Sequence, residues 1–259
     1  MNQPSCPSYG NLCSWFYDID KPVPDEKELA FYLSFADAKM DILEPMCGSG
    51  RFFVGFLERG FRMDGFDLSR EMLERCVAKI EKLKGGKKNS LLKCCGFDGF
   101  PTSKEYDYVL IPSGSFSLII RHDEIMGALK ALERLCKKNG IIVLELEINE
   151  NLAEKRSSDA YSRIRSVQEG DIEIVASGKT IRIDEKENVE YSMGKYELYE
   201  NGKFIREEEE AFNLKYYAPT EFEKYLQGTS FKVVSKYVGY EKEEDTGQKT
   251  ESILYVLTH

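Results

Sequence analysis

The sequence predicts an α/β fold: a seven-stranded, mostly parallel sheet with an antiparallel C-terminal strand pair and an inserted antiparallel β subdomain. Between residues 41 and 143, short β-like runs alternate with segments of helical periodicity, which is typical of a parallel sheet wound with helices. Between residues 170 and 217, alternating polar and apolar residues indicate antiparallel strands, with Asn201-Gly202 as a tight hairpin turn. Two further β-like runs, residues 231–238 and 252–257, form the C-terminal pair.

The parallel part contains five predicted strands that are rich in β-branched or other apolar residues. They are residues 40–44, 62–66, 90–95, 106–111 and 141–146. Apolar spacing and capping residues predict the helices between them. One helix runs to about Arg59, a second is capped by Ser69 and ends at Gly85-Gly86, and a third spans residues 123–138. A short helix capped by Thr220 precedes the C-terminal pair.

This pattern divides the chain into three parts. Residues 38–150 and 218–259 form the predicted core domain, residues 1–37 form an N-terminal helical segment, and residues 151–217 form the insertion. A chain of 259 residues with 42% hydrophobic content can bury one sizeable core of this kind.

Charge and hydropathy narrow the class of partner. The formal net charge is -9 and there is no basic tract, so a nucleic acid or an anionic membrane is not the expected partner. No apolar run approaches the roughly 20 residues that a membrane helix needs, and residues 1–11 lack the apolar core of a signal peptide. We therefore expect a cytoplasmic protein. The oligomeric state is left open.

The seven cysteines predict buried, reduced thiols rather than disulfides or a metal site. Their number is odd, and Cys94 and Cys95 are adjacent within an apolar run. His122 and His259 are the only histidines, and the sequence has no CxxC pair. We predict no metal.

A glycine-rich turn between the first strand and its helix is the first candidate for ligand binding. Gly48 and Gly50 allow the backbone to approach a ligand closely, although such a turn can also be a plain tight connection. Asp67 follows the second strand, where a carboxylate can accept two ribose hydroxyls or can cap the next helix. As an exposed strand-end residue, Asp67 is expected to contribute little to folding stability. The dinucleotide pattern GxGxxG is broken at Phe53, which favours a cofactor without a pyrophosphate.

Two segments, residues 42–51 (ILEPMCGSGR) and 65–73 (GFDLSREML), resemble the cofactor motifs of class I S-adenosylmethionine-dependent methyltransferases of the small-molecule type. The resemblance implies a Rossmann-like fold and S-adenosylmethionine as cofactor. It implies that the first motif holds the methionine part, that Asp67 binds the ribose, and that Leu68 packs on adenine, with Phe97 and Asp98 as the third, adenine-binding segment. The first-motif residues are Glu44, Met46, Gly48, Ser49 and Gly50. Met46 departs from the family pattern, which has a glycine there.

The same resemblance suggests where the methyl acceptor binds. The segment that follows the fourth strand, residues 112–116, is expected beside the transferred methyl group, with Ser113 on the cofactor side and Ser115 on the acceptor side. Residues 8–18 resemble a segment that folds over cofactor and acceptor, with Tyr9 and Tyr17 facing the acceptor; they could equally pack on the core. The insertion lies where the family places a substrate cover, and its Tyr217 is a candidate for contact with the acceptor. Core packing explains most of the other aromatic residues of the insertion.

Three charged or titratable residues are further candidates on the acceptor side. His122 could act as a base, or it could be a capping or solvent-exposed histidine at a helix start. Glu145 and Glu147 could meet a cationic acceptor, or they could be the polar positions of an exposed strand. The run of carboxylates at residues 207–210 is interpreted as an exposed strand or turn.

Methyl transfer from a sulfonium depends mainly on positioning, which can contribute roughly 7–11 kcal/mol, so a catalytic triad is not required. The chain lacks the Asp/Asn-Pro-Pro-aromatic motif of enzymes acting on base or glutamine amino groups, and the Pro-Cys pair of cytosine carbon-5 enzymes. The predicted function is methyl transfer to an N or O atom of a small molecule. A methyltransferase acting on protein or RNA, and a non-catalytic cofactor-binding module, remain alternatives.

Overall fold

The computed structural model describes residues 8–83, 90–101, 103–150, 152–218, 220–240 and 252–259. In these ranges the chain forms six α-helices and eleven β-strands. The helices are α1 (Asn11–Asp20), α2 (Glu26–Leu33), α3 (Arg51–Glu58), α4 (Arg70–Lys82), α5 (His122–Leu135) and α6 (Glu221–Leu226). The strands are β1 (Asp41–Pro45), β2 (Arg62–Asp67), β3 (Leu92–Cys94), β4 (Tyr106–Ile111), β5 (Cys136–Glu147), β6 (Ser162–Glu169), β7 (Ile172–Asp184), β8 (Val189–Glu200), β9 (Lys203–Lys215), β10 (Lys232–Tyr237) and β11 (Ser252–Thr258).

The main sheet has seven strands in the order β10-β11-β5-β4-β1-β2-β3. Strands β1 to β5 are parallel, and β11 is antiparallel to both β5 and β10. The central strand β4 is buried at five of its six residues, because apolar clusters pack on both faces of the sheet. The predicted α/β class, with its antiparallel C-terminal pair, is confirmed.

The third predicted helix ends earlier than the sequence suggested. Helix α5 stops at Leu135, and the residue after it, Cys136, already pairs with Tyr106 of β4. Asn139, with φ 69°, donates its N–H to the His259 carbonyl at 3.0 Å. The prediction of helix to residue 138 was wrong because main-chain pairing with the sheet outweighs helical periodicity in this stretch. The predicted helix end at Gly85-Gly86 lies outside the described residues.

The insertion forms a separate antiparallel sheet in the order β6-β7-β8-β9. The sequence did not identify β6. The predicted hairpin turn between β8 and β9 is confirmed: Asn201 and Gly202 have φ angles of 49° and 73°, as a type I′ turn requires. Where the chain returns to the core, Tyr217 donates its N–H to the Glu147 carbonyl at 2.8 Å and accepts from Asn149 at 3.0 Å. The insertion is therefore attached at the C-terminal end of β5.

Helix α1 contacts the inserted sheet through two carboxylates of the acidic run on β9. Glu210 accepts a hydrogen bond from the Gly10 N–H, and Glu208 accepts one from the Leu12 N–H, each at 2.8 Å. Gly10, the N-cap of α1, has no side chain to cap the helix, so the insertion supplies the negative charge that a helix N-terminus favours. The exposed strand predicted for residues 207–210 is present, but two of its side chains also hold α1.

The opposite side of α1 contacts the core. The Ser69 hydroxyl donates to the Tyr9 carbonyl at 2.8 Å, and Asp18 forms ion pairs with Lys79 and Arg75 of α4. Helix α1 is thus held between α4 and the inserted sheet, close to the end of β2. Within the described ranges, no helix is both long and apolar enough to cross a membrane.

Candidate cofactor and acceptor site

The turn after β1 has an unusual backbone. Met46, Gly48 and Gly50 have φ angles of 56°, 52° and 80°, all in the left-handed region. Because that region favours glycine, both glycines of the predicted motif are required by conformation. For Met46 this conformation has a steric cost, because its side chain is disfavoured in the left-handed region. Met46 is also the residue at which the sequence departs from the family pattern.

The two glycines face different surroundings. A Cβ on Gly50 would lie 2.5 Å from the Cys76 Sγ of α4, so Gly50 is needed for helix packing as well as for its φ angle. A Cβ on Gly48 would meet no atom of the described residues within 4 Å. Gly48 therefore has open space where Gly50 is packed against α4, which is compatible with the close approach of a ligand to its backbone.

Asp67 ties this turn to the end of β2. Its two carboxylate oxygens accept the Gly48 and Ser69 N–H groups, each at 2.8 Å. Burial raises the pKa of Asp67, and the hydrogen bonds from Ser69 and Gly48 oppose that rise. The expectation that Asp67 contributes little to folding does not match this geometry, since the carboxylate holds two backbone segments. Each oxygen retains acceptor capacity for a ligand hydroxyl.

The predicted adenine segments lie side by side at the edge of the sheet. The Cys95 N–H donates to the Asp67 carbonyl at 2.9 Å, and a Cβ on Gly96 would lie 3.7 Å from Leu68 Cδ2. Leu68 is 39% exposed. Phe97 packs on Phe66 with ring centroids 5.2 Å apart, whereas Asp98 is exposed.

Glu44 is the buried acid of β1. It is 2% exposed, and its Oε2 has no hydrogen-bond partner among the described residues. Desolvation raises its pKa well above the ordinary value, Cys76 and Asp67 add to the rise, and Arg51 opposes it. A buried carboxylate oxygen without a partner is costly, which marks it as a place for a donor brought by a ligand.

Arg51 is a site residue that our reading of the sequence missed. It opens α3 directly after Gly50, pairs with Glu28 of α2, and donates from Nη1 to the Ser113 hydroxyl at 3.0 Å. Its Nε is buried and has no partner among the described residues. A signal was available in the sequence, because Arg51 is the single cation in the otherwise apolar first turns of α3.

Arg51 neighbours both the loop after β4 and the N-terminal segment. Ser113, with φ 58°, donates its N–H to Glu145 at 2.9 Å, and the Ser115 hydroxyl donates to the Pro112 carbonyl at 2.8 Å. The Tyr9 and Tyr17 rings pack edge to face with centroids 6.0 Å apart. Burial raises the pKa of Tyr17, and the neighbouring Arg51 guanidinium opposes that rise. The structure therefore places Tyr17 at the Arg51 side of the site.

His122 and Tyr217 lie together at the α6 side. His122 is exposed at the start of α5, and its ring lies 5.2 Å from that of Tyr225. Tyr217 is 3% exposed and packs on Phe222 and Tyr225, and its hydroxyl has no partner among the described residues. Within the described ranges, no backbone hydrogen bond joins either residue to the turn at Gly48.

The two glutamates at the end of β5 have different environments. Glu145 is 5% exposed, and its carboxylate accepts from the Ser113 N–H and from the hydroxyls of Tyr32, Tyr240 and Ser252. Glu147 is half-buried, and its Oε1 lies 2.8 Å from where a Gly114 Cβ would be. Glu145 is thus held by several hydrogen bonds, and Glu147 borders the loop that follows β4.

These residues fit the amino-acid end of S-adenosylmethionine. Glu44 and Arg51 have opposite charges, each has a buried atom without a partner among the described residues, and they lie on either side of Gly48 in the sequence. The cofactor, when bound, supplies an activated methyl group. Glu44, Gly48 and Arg51 would hold its methionine part, Asp67 its ribose, and Leu68 with Phe97 its adenine.

We expect Gly50→Ala mainly to lower folding stability and Gly48→Ala mainly to weaken ligand binding. For Gly50→Ala, the positive φ angle costs about 1–2 kcal/mol and overlap with Cys76 about 1–3 kcal/mol more, so the free energy of unfolding falls markedly. Gly48→Ala costs only the first of these, but its methyl group occupies ligand space and weakens binding of S-adenosylhomocysteine. Denaturant melts and calorimetric titrations measure both quantities. Equal losses of stability in the two variants would contradict the conclusion that Gly50 faces α4 and Gly48 faces open space.

We expect Glu44 to release a proton when cofactor binds. Burial raises its pKa in the free protein, and a ligand ammonium group would lower it, so affinity for S-adenosylhomocysteine should rise with pH between the two values. Titration in buffers of different ionisation enthalpy detects the released proton. Glu44→Gln should abolish the release and weaken affinity roughly tenfold to a hundredfold.

The raised pKa of Glu44 also predicts how the stability of the ligand-free protein depends on pH. Because the pKa of Glu44 is raised on folding, its ionisation destabilises the fold as pH rises from the ordinary glutamate range toward the raised value. Glu44→Gln removes that penalty and should melt no earlier than wild type at neutral pH. An early-melting Glu44→Gln with unchanged affinity would mean that the carboxylate serves the fold instead.

Comparison with known sequences finds similarity over part of the chain. Residues 42–140 match the sequence model of a methyltransferase domain. The candidate methyltransferase YqeM of Bacillus subtilis is 24% identical over 148 residues, which are 56% of this chain and 58% of that protein. The matched region thus spans little more than half of that relative's length.

Solved structures match over a larger part of the chain. An S-adenosylmethionine-dependent methyltransferase from Clostridium acetobutylicum has a TM-score of 0.74 at 19% identity, covering 93% of this chain and 95% of that one. The sugar N-methyltransferase KedS8 from Streptoalloteichus has a TM-score of 0.69 at 16% identity, covering 99% and 98%. CalS10, an amino pentose methyltransferase from Micromonospora echinaspora, has a TM-score of 0.63 at 16% identity, covering 89% and 87%.

At these identities the structural matches show a shared fold. Residues 42–140 are therefore similar in sequence to a methyltransferase domain, and the chain shares its fold with S-adenosylmethionine-dependent methyltransferases.

Proposed function

We propose that the protein transfers a methyl group from S-adenosylmethionine to a nitrogen atom of a small, cationic amine. The observation that carries this proposal is the position of Glu147. Its carboxylate lies against Gly114, in the loop after β4 where the resemblance puts the transferred methyl group. An acceptor approaching that loop would meet the Glu147 carboxylate, whereas the Ser113 N–H is bound by Glu145.

Glycine at position 114 supports this reading. Gly114 has φ 65°, and a side chain there would overlap the Glu147 carboxylate and its Cγ. The glycine therefore leaves room for Glu147 to lie at the loop. Glu147 is anchored through its backbone, because its N–H donates to the Ser117 hydroxyl at 3.0 Å and its carbonyl accepts from Tyr217. A fixed backbone with a carboxylate at the strand end is suited to orienting a charged group.

The surroundings support a small acceptor. Helix α1, its ion pairs to α4 and the Glu208 and Glu210 contacts from β9 form a continuous cover beside the cofactor turn. The Tyr9 ring packs on Phe212 of β9 with centroids 5.7 Å apart, which joins the two parts of the cover. A nucleic acid or a folded protein would have to displace this cover and also approach a chain of net charge -9.

The chemistry favours nitrogen over oxygen. An amine needs only to lose the proton of its ammonium form before its lone pair can attack, and a carboxylate such as Glu147 can bind the ammonium and accept that proton. An alcohol is a much weaker acid and needs a stronger base. His122, the base that the sequence offered, packs on Tyr225 instead. Among the proteins of similar fold, KedS8 is a sugar N-methyltransferase and CalS10 is an amino pentose methyltransferase.

The decisive experiment follows a labelled methyl group. The protein is incubated with methyl-labelled S-adenosylmethionine and with dialysable metabolites or macromolecules from a cell extract. The proposal predicts label in the dialysable fraction, on molecules that bind a cation exchanger and resist mild acid and base as N-methyl groups do. Label on protein or RNA would support the macromolecular alternative, and no transfer with tight cofactor binding would support a binding module.

With an amine acceptor in hand, Glu147→Gln should lower kcat/KM by roughly tenfold to a hundredfold, because a hydrogen bond to a charged group is lost. The Kd for S-adenosylhomocysteine should not change. The matched control is Glu173→Gln on the inserted sheet, which exchanges a carboxylate in a surface ion pair and should leave kcat/KM unaltered. Full activity of Glu147→Gln at neutral pH would remove this carboxylate from acceptor binding.

A further inference from the structure

Tyr216 lies beside Glu147 where the insertion rejoins the core. Ile148 and Tyr217 form a parallel bridge, in which the Tyr217 N–H donates to the Glu147 carbonyl at 2.8 Å. Side chains alternate along paired segments, so the residues that precede the bridge partners, Glu147 and Tyr216, project to the same side. Burial raises the pKa of Tyr216, and the carboxylates of Glu190 and Glu147 add to that rise, which agrees with this placement.

The Tyr216 hydroxyl binds a different carboxylate. It donates to Glu190 Oε2, in β8 of the inserted sheet, at 2.9 Å. Both residues are buried, with 3% of Tyr216 and 6% of Glu190 exposed. A phenol has a single proton to donate, so a hydroxyl that binds Glu190 cannot donate to Glu147 at the same time. Glu190 therefore decides which of two nearby carboxylates this hydroxyl binds.

Two further groups keep Glu190 in place as an acceptor. The Thr180 hydroxyl of β7 donates to its Oε1 at 2.5 Å, and the Lys155 ammonium lies 3.4 Å from its Oε2. Burying a carboxylate is costly unless it is hydrogen-bonded, and these contacts meet that cost. Thr180 and Glu190 both belong to the inserted sheet, so their contact serves that sheet alone. The contact with Tyr216 instead joins the sheet to the segment beside Glu147.

We propose that Glu190 is a positioning residue for acceptor binding. It holds the Tyr216 hydroxyl toward the inserted sheet, so that this hydroxyl does not compete with the acceptor's ammonium group for the Glu147 carboxylate. The inserted sheet thereby influences affinity for the acceptor through a hydrogen bond, without touching the acceptor at this point. The inference rests on the proposed function, which assigns the ammonium group to Glu147.

Methylammonium is the probe, because it is the smallest cation that shares the charged group of an aliphatic amine acceptor. Its Kd is measured by NMR titration with saturating S-adenosylhomocysteine, against sodium at the same ionic strength. Glu190→Leu removes both acceptor oxygens at similar volume, and Tyr216→Phe removes the competing hydroxyl. The double variant lacks both. Wild type and Glu147→Gln set the limits of the measured range.

Glu190→Leu should weaken methylammonium binding roughly tenfold, because the released Tyr216 hydroxyl then binds Glu147 and the cation must displace a hydrogen bond to a charged group. Tyr216→Phe alone should leave the Kd within about twofold of wild type. The double variant should return to within about twofold of wild type, because no hydroxyl remains to compete. The Kd for S-adenosylhomocysteine should be the same in every variant.

The matched control is Thr180→Val, which removes a different hydrogen bond to Glu190 and leaves the Tyr216 contact in place. It should lower stability in a denaturant melt without changing the Kd for methylammonium. If Glu190→Leu does not fold, Glu190→Gln replaces it. Its neutral amide oxygen binds the hydroxyl less strongly than a carboxylate does, so the Kd should rise by roughly threefold and Tyr216→Phe should again reverse the loss.

Three results would overturn the inference. If the double variant bound methylammonium as weakly as the single Glu190 variant, Glu190 would support only the fold of the inserted sheet. If Tyr216→Phe alone weakened binding to the same extent, the hydroxyl would assist acceptor binding instead of opposing it. An unchanged Kd in the folded Glu190 variant would also refute the inference. Equal Kd values for wild type and Glu147→Gln would be a different outcome, because they would refute the proposed function itself.

Discussion

The hydrogen bond from the Gly48 N–H to the Asp67 carboxylate, 2.8 Å long, is the interaction on which the site depends. It joins the turn after β1 to the end of β2, and the second Asp67 oxygen fixes the start of α4 through Ser69. With the turn held in this way, Gly48 keeps an open side, Gly50 packs on Cys76, and Arg51 begins α3 beside Ser113. The carboxylate is retained there despite the cost of burial because backbone amides surround it.

The position of α1, the main part of the cover, depends on carboxylates from the inserted sheet. Helix α1 has no side-chain cap of its own, and carboxylates from the inserted sheet take that role. Its other side is joined to the core by Ser69, the residue whose N–H also binds Asp67. Cofactor turn, cover and insertion thus share a few hydrogen-bonded residues. This arrangement explains how strands remote in sequence are connected, through residues 9–12, to the end of β2.

The sequence predicted the architecture well where local pattern and sheet pairing agree. The alternation of strands and helices, the C-terminal pair and the Asn201-Gly202 turn follow from periodicity and turn chemistry. The prediction of helix at residues 136–138 was wrong, because strand pairing outweighs the helical pattern there. Strand β6 was not predicted. Within the site, motif spacing identified Glu44, Gly48 and Asp67, but the different environments of Glu145 and Glu147 and the leftover donor of Arg51 depend on tertiary contacts. No pattern along the chain encodes those contacts.

The central claim is that the Asp67 carboxylate both builds the cofactor turn and binds the cofactor. Asp67→Ala tests it directly, with Asp67→Asn as the control that keeps one acceptor oxygen. The account predicts that Asp67→Ala loses two backbone hydrogen bonds of roughly 1.5–3 kcal/mol each and also binds S-adenosylhomocysteine about tenfold to a thousandfold more weakly. Denaturant melts and calorimetric titration of the same samples measure both effects. A folded Asp67→Ala variant that binds S-adenosylhomocysteine as tightly as wild type would contradict the account.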